Sequence, residues 1–222
     1  MYNKILTGIV VVLCIAIISM LGYIGYGYVK KFYLNSEAEK FLTEEFDTMV
    51  VEVNDEQQEV ENNVNEITAN TNTNANKKPQ STTTYTNGLY YKGFEVIGKL
   101  EMPTINIQYP ILGDSTKAKA IEVAVLRIYG PSPNNPGNLV IAGHNYNNGL
   151  FFGKNKYLQI GDKIYITDMN GKKVEYTIYN KYTIPESDNS YITRDVGNNT
   201  EVTLCTCDAT GKNRLIVCAR AN

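Results

Sequence analysis

Between residues 5 and 29 no side chain is charged, and residues 9–18 are apolar without a break. A run of about 20 such residues matches the roughly 30 Å of hydrocarbon in a bilayer, so the pattern predicts a membrane-spanning helix. The run is too long for the apolar part of a cleaved signal peptide, and no small-residue cleavage pattern follows it. Tyr23, Tyr26 and Tyr28, then Lys30 and Lys31, read as the interfacial belt of a retained anchor over residues 1–33. Lys4 and the amino terminus on one side balance Lys30 and Lys31 on the other, so charge alone leaves the orientation open.

The next segment, residues 34–88, changes character twice. Ser36-x-x-Glu39 reads as a capping box opening a helix. Phe46, Val53, Val60 and Ile67 then recur every seven residues, with Leu42 and Met49 beside them. That spacing fits an amphipathic or coiled-coil stalk. Glu56, Gln57 and Asn63 interrupt the stripe, and a solvated acidic spacer fits equally well. Residues 70–88 are almost entirely Asn, Thr, Ser, Lys, Gln and Ala, which bury too little to offset their ordering entropy and predict a flexible tether.

From residue 89 to residue 222 the punctuation is that of short strands. Residues 94–100, 105–109 and 163–167 alternate apolar and polar positions, and Met169-Asn170-Gly171-Lys172 is a turn leading into a further strand at 174–178. A helical pattern covers residues 115–126. The expected class is mainly β with one or two short helices; frequent turns argue for a closed barrel, and periodicity alone also admits a sandwich.

Charge adjusts this picture modestly. The net charge is -2, which gives no sign of a nucleic-acid partner. Eleven of the 23 acidic residues fall between Glu37 and Glu66, so the strand-rich portion is mildly basic. Of the four cysteines, Cys14 lies in the apolar span. Cys205 and Cys207 are two apart on a predicted strand, near the upper limit of disulfide geometry, and no bridge between them is expected. Together with Cys218 and His144 they make four potential zinc ligands, but the spacing is not that of a zinc ribbon or finger. No zinc site or cofactor is therefore expected, and a calcium requirement stays open, because Glu122, Glu175 and Glu186 are too scattered to assign.

The chemistry concentrates at the end of the chain. A catalytic cysteine needs a nearby cation to favour its thiolate, and the candidates are His144, the only histidine, and Arg214. Residues 208–213 read as a tight connection that returns Arg214 beside Cys207 across a hairpin. Singly, each residue has a bland reading: a core cysteine, a rim arginine, a structural histidine. Jointly, Thr203-Leu204-Cys205-Thr206-Cys207, Arg214-Leu215-Ile216-Val217 and Ala142-Gly143-His144 resemble the sortases, the membrane-anchored cysteine transpeptidases of Gram-positive surfaces. The resemblance covers residues 89–222.

It implies an eight-stranded barrel, an internal amino terminus and an external catalytic domain. It further implies that Cys207 attacks the Thr-Gly carbonyl of a Leu-Pro-x-Thr-Gly-like sorting signal on a secreted surface protein and forms a thioester. His144 would serve as acid then base, and Arg214 would hold the oxyanion. The acceptor amine would be a cell-wall precursor such as lipid II, or a lysine of another surface protein. The segment 184–200 would wall the substrate groove, and the short run before the motif favours a housekeeping or sporulation-associated type. Cys205 departs from the small or aliphatic residue expected at its position, and Arg220 is a second arginine on the returning strand. Two other classes stand beside this one: a hydrolytic cysteine peptidase, disfavoured by the His-before-Cys order, and a silent binding module.

Overall fold

The computed structural model describes residues 2–51, 88–113, 116 and 119–222. Two compact units are formed by Met1–Glu37 and Ala38–Asn222. The first holds all but the last turn of helix α1 (Tyr2–Phe41), whose apolar side chains, Ile9, Val12, Leu13, Ile17, Ile18 and Leu21 among them, are exposed. By length and composition this helix suffices to cross a membrane. Ser36 does not open a new helix; it lies inside α1. Residues 30–36 contain neither Gly nor Pro, so the hydrogen-bond ladder continues and leaves no free N–H groups there for a cap to satisfy.

In the second unit the segment 38–46, expected as part of the stalk, is packed with the strands. Ala38, Phe41, Leu42 and Phe46 are buried, the Phe41 ring lies 4.8 Å from that of Tyr91, and Lys99 Nζ reaches Asp47 Oδ1 at 2.5 Å. Val53, Val60, Ile67 and residues 70–87 of the expected tether lie outside the described residues.

The strands are β1 (Tyr90–Tyr91), β2 (Phe94–Met102), β3 (Ile107–Leu112), β4 (Val125–Tyr129), β5 (Gly137–Ala142), β6 (Lys163–Asp168), β7 (Lys173–Pro185), β8 (Thr200–Cys207) and β9 (Asn213–Ala221). Strand β1 only extends one edge of β2. The other eight follow the order β2-β3-β4-β5-β8-β9-β7-β6, and β6 pairs back onto β2, which closes the expected eight-stranded barrel. Two pairings are parallel, β3 with β4 and β5 with β8.

The helix expected at 115–126 is, among the described residues, a single 3₁₀ turn at Ala120–Glu122. Val125 and Leu126 instead begin β4, in register with Ile111 and Leu112. A slot between β3 and β5 that buries Ala124, Val125 and Leu126 outweighs a weak helical periodicity. The strand expected from residue 105 starts at Ile107, because Pro103–Ile105 form a 3₁₀ turn closed by Asn106 in the left-handed region.

Alternation sorts the central strands into two layers. Leu139, Ile141, Val202, Leu204, Val217 and Ala219 are fully buried on one face. On the other, Val140, Cys205, Ile216 and Cys218 form a second apolar cluster covered by Tyr191 and Ile192 from the β7–β8 connection. That connection is pinned by a polar network. Glu201 has a fully buried side chain and accepts from Arg194 Nη2 (2.7 Å), Tyr179 Oη (2.7 Å) and Arg220 Nε (2.8 Å). Burial acts to raise the Glu201 carboxyl, but these three donors prevail and hold it below the usual carboxylate range. Arg194 also donates to Thr203, which donates to Asn138 Oδ1, and Asn138 donates to the carbonyls of Tyr191 and Ile192.

Removing the carboxylate in Glu201→Ala leaves two guanidinium groups without their anion and lowers stability by about 2–4 kcal/mol. Chemical denaturation checks the loss, and faster amide exchange at residues 191–194 than elsewhere identifies the connection as the part released first.

Candidate active site

The hairpin of β8 and β9 pairs Cys207 directly with Arg214. Adjacent strands place opposed side chains on the same face, so the pairing alone brings thiol and guanidinium together. Arg214 Nη1 donates to Cys207 Sγ at 3.3 Å. The turn between them is built by Asp208, whose Oδ1 accepts from the Thr210 amide (3.0 Å) and hydroxyl (2.7 Å) and whose Oδ2 accepts from Asn213 Nδ2 (2.9 Å). Those donors, Asn213 first and Thr210 second, hold the Asp208 carboxyl down to about 2.

His144 arrives by a different route. The parallel register of β5 and β8 sets Ala142 against Cys205, so the chain leaves β5 near the level of Cys207. Three contacts fix that exit. The Gly143 amide donates to the Cys205 carbonyl (3.2 Å), the Thr206 hydroxyl donates to the Gly143 carbonyl (2.6 Å), and Asn145 Nδ2 donates to the Cys207 carbonyl (2.8 Å). A Cβ at position 143 would fall 2.9 Å from the Phe152 ring, which accounts for the glycine before His144. Phe151 is held in the left-handed region (φ 49°) with its amide donating to the Tyr109 hydroxyl, and the Phe152 amide donates to the His144 carbonyl.

The three residues singled out in the sequence thus converge at one end of β5, β8 and β9. Arg220 does not compete with Arg214: it pairs with Glu201 at the opposite end of the hairpin. Cys205 is 5% exposed and donates to the Tyr191 hydroxyl (3.3 Å), and burial pushes its thiol up; Cys218 is likewise buried and pushed up. Cys207 is the more accessible thiol and the one beside the cation. Among the described residues no group of three or more His, Cys, Asp or Glu side chains is arranged to hold a metal ion.

Two carboxylates left unassigned in the sequence also reach the site. Glu186, just after β7, pairs with Arg214 Nη2, and Glu122, on the 3₁₀ turn before β4, lies 2.9 Å from His144 Nε2. Neither belongs to a local motif. Only the closing of the barrel brings them in.

A match to the family described as Sortase domain spans residues 100–222. The chain belongs to the sortase family. Sortase A of Bacillus anthracis is 31% identical over 114 residues, 51% of this chain and 52% of that protein. Sortase A of Listeria monocytogenes is 28% identical over 131 residues, 59% of this chain and 57% of that protein. The sortase chain described here therefore spans a little over half the length of these curated relatives. Among solved structures, a Clostridium perfringens sortase D5 transpeptidase superposes with a TM-score of 0.52 at 27% identity, over 58% of this chain and 79% of that one. Sortase A from Corynebacterium diphtheriae gives a TM-score of 0.52 at 27% identity, over 58% and 61%.

Two outcomes follow for this sortase. A thiol-directed reagent modifies Cys207 well before Cys205 or Cys218, as peptide mapping after short exposure checks. The Asp208 carboxyl is depressed on folding below its unfolded value of about 3.9, so its contribution to the turn is present above that pH and is lost as pH falls toward 2. The amide resonances of Thr210 and Asn213 should shift over that window, and Asp208→Asn should flatten the response.

Proposed function

We propose that this sortase is a membrane-anchored transpeptidase that cleaves a Leu-Pro-x-Thr-Gly-like sorting signal between Thr and Gly. Cys207 Sγ adds to the threonine carbonyl, the C–N bond to glycine breaks, and a thioester forms on Cys207. His144 gives its proton to the departing amine and later takes one from the incoming amine, whose attack releases the thiol. Arg214 stabilises the oxyanion that develops at the carbonyl in both steps. The acceptor is an amine, either a cell-wall precursor such as lipid II or a lysine of another surface protein. The observation that supports this reading is the Arg214 Nη1 to Cys207 Sγ contact of 3.3 Å, together with the register that sets Ala142, two residues before His144, against Cys205.

In the same reading α1 anchors the protein with its amino terminus in the cytoplasm and the barrel outside, where sorting signals emerge. The β7–β8 connection, which meets Arg214 through Glu186 and Cys205 through Tyr191, shapes the groove that selects the signal.

The full chain in detergent micelles, given a fluorogenic Leu-Pro-x-Thr-Gly peptide library and a glycine-peptide acceptor, should yield a ligated product. Cys207→Ala should abolish it, and Arg214→Ala should lower kcat by about a hundredfold or more. Cleavage that never yields ligation with any amine would instead identify a hydrolase, and no reaction across the library would count against this signal.

A further inference from the structure

The only imidazole in the chain is held by a carboxylate that lies in none of the motif segments. Glu122 Oε1 is 2.9 Å from His144 Nε2, and Glu122 Oε2 accepts from the Tyr146 hydroxyl at 3.1 Å. The Tyr146 ring packs on the imidazole at 5.1 Å between centroids and on Phe151 at 5.7 Å. One face and one nitrogen of the His144 ring are therefore occupied by a small, connected assembly. The Glu122 backbone is itself tied down: its amide donates to the Lys119 carbonyl, and Ala120 and Ala124 on either side are fully buried.

From this geometry we infer that Glu122 is the positioning residue for His144: it fixes the ring with its proton on Nε2 and leaves Nδ1 as the nitrogen that gains and loses the reacting proton. An ionised carboxylate can only accept a hydrogen bond, so at 2.9 Å the proton between the two atoms belongs to Nε2. The tautomer of a neutral imidazole is set by the bond its other nitrogen makes, and a ring without such a bond samples both forms. The Glu122 side chain is 58% exposed and that of His144 33% exposed, so the pair adds little to stability; its effect is on orientation. Tyr146 acts one step further out, by holding the carboxylate.

The use of the ring in catalysis rests on the transpeptidase reading above, whereas its tautomer does not. The test therefore has two independent arms, both on the full chain in detergent micelles. In the first, ¹⁵N-labelled histidine gives one pair of ring nitrogens, because His144 is the only histidine. The unmodified protein, with its ring neutral, should show Nε2 protonated and Nδ1 bare. Glu122→Ala should draw the two signals toward each other, as for a mixture of tautomers, and Tyr146→Phe should do so partially, with the thermal midpoint unchanged in both. In the second arm, Glu122→Ala should lower kcat for peptide ligation about tenfold with KM nearly unchanged, and Glu122→Asp should recover part of the loss.

Ring signals in Glu122→Ala identical to those of the unmodified protein would overturn the inference whatever the activity. So would altered signals with kcat unchanged in a protein that ligates peptide. Should the unmodified protein turn over no peptide, the transpeptidase reading fails, and the ring signals still decide whether Glu122 sets the tautomer.

Discussion

The contact between Arg214 and Cys207 depends on a register, and the rest of the site depends on that register. Strand β9 must pair with β8 so that residue 214 opposes residue 207, and a slip of β9 by one position would put the Arg214 side chain on the face opposite Cys207. The slip is prevented on two sides. Asp208 closes the hairpin with bonds to Thr210 and Asn213, while the alternation of β8 commits Val202 and Leu204 to one buried layer and Cys205 to the other. Parallel pairing with β5 then supplies the histidine. Through Gly143, Thr206 and Asn145 the two segments are bonded at three consecutive levels, so Cys207 and the backbone of His144 share one frame.

Around that frame, buried and exposed charges divide the work. Glu201, fully buried with two arginines and a tyrosine, anchors the β7–β8 connection where a lost partner is costly. Glu122 and Glu186 are more than half exposed and contribute little to stability, yet they contact the two groups expected to handle the proton and the oxyanion. The arrangement lets the connection stay folded at Tyr191, Ile192 and Arg194 while its first residue, Glu186, meets Arg214.

What could be read from the sequence was local. The apolar span is continuous, so the long helix needed no tertiary information. The hairpin carries its turn chemistry and both partners within a few residues, so the opposition of Cys207 and Arg214 could be foreseen. Contacts that depend on barrel closure could not. Glu122 is 22 positions from His144 and Glu186 is 28 from Arg214, and neither sits in a pattern that marks it. The turn at Ala120–Glu122 was hidden for a related reason: its flanking residues look helical until β3 and β5 claim Val125 and Leu126 for the sheet. Ser36 and Glu39 match a helix start, but a match to a cap says nothing about whether the helix has already begun.

The central claim, that Cys207 carries the acyl group between donor and acceptor, is tested most directly by catching the intermediate. The full chain in detergent micelles would be mixed with a sorting peptide, without any amine acceptor, then quenched in acid and digested for mass spectrometry. The account predicts that the fragment containing Cys207 gains the mass of the peptide up to its threonine, less one water, and that hydroxylamine removes it. An acyl group on Cys205 or Cys218 instead, or cleaved peptide with no adduct on any cysteine, would contradict it.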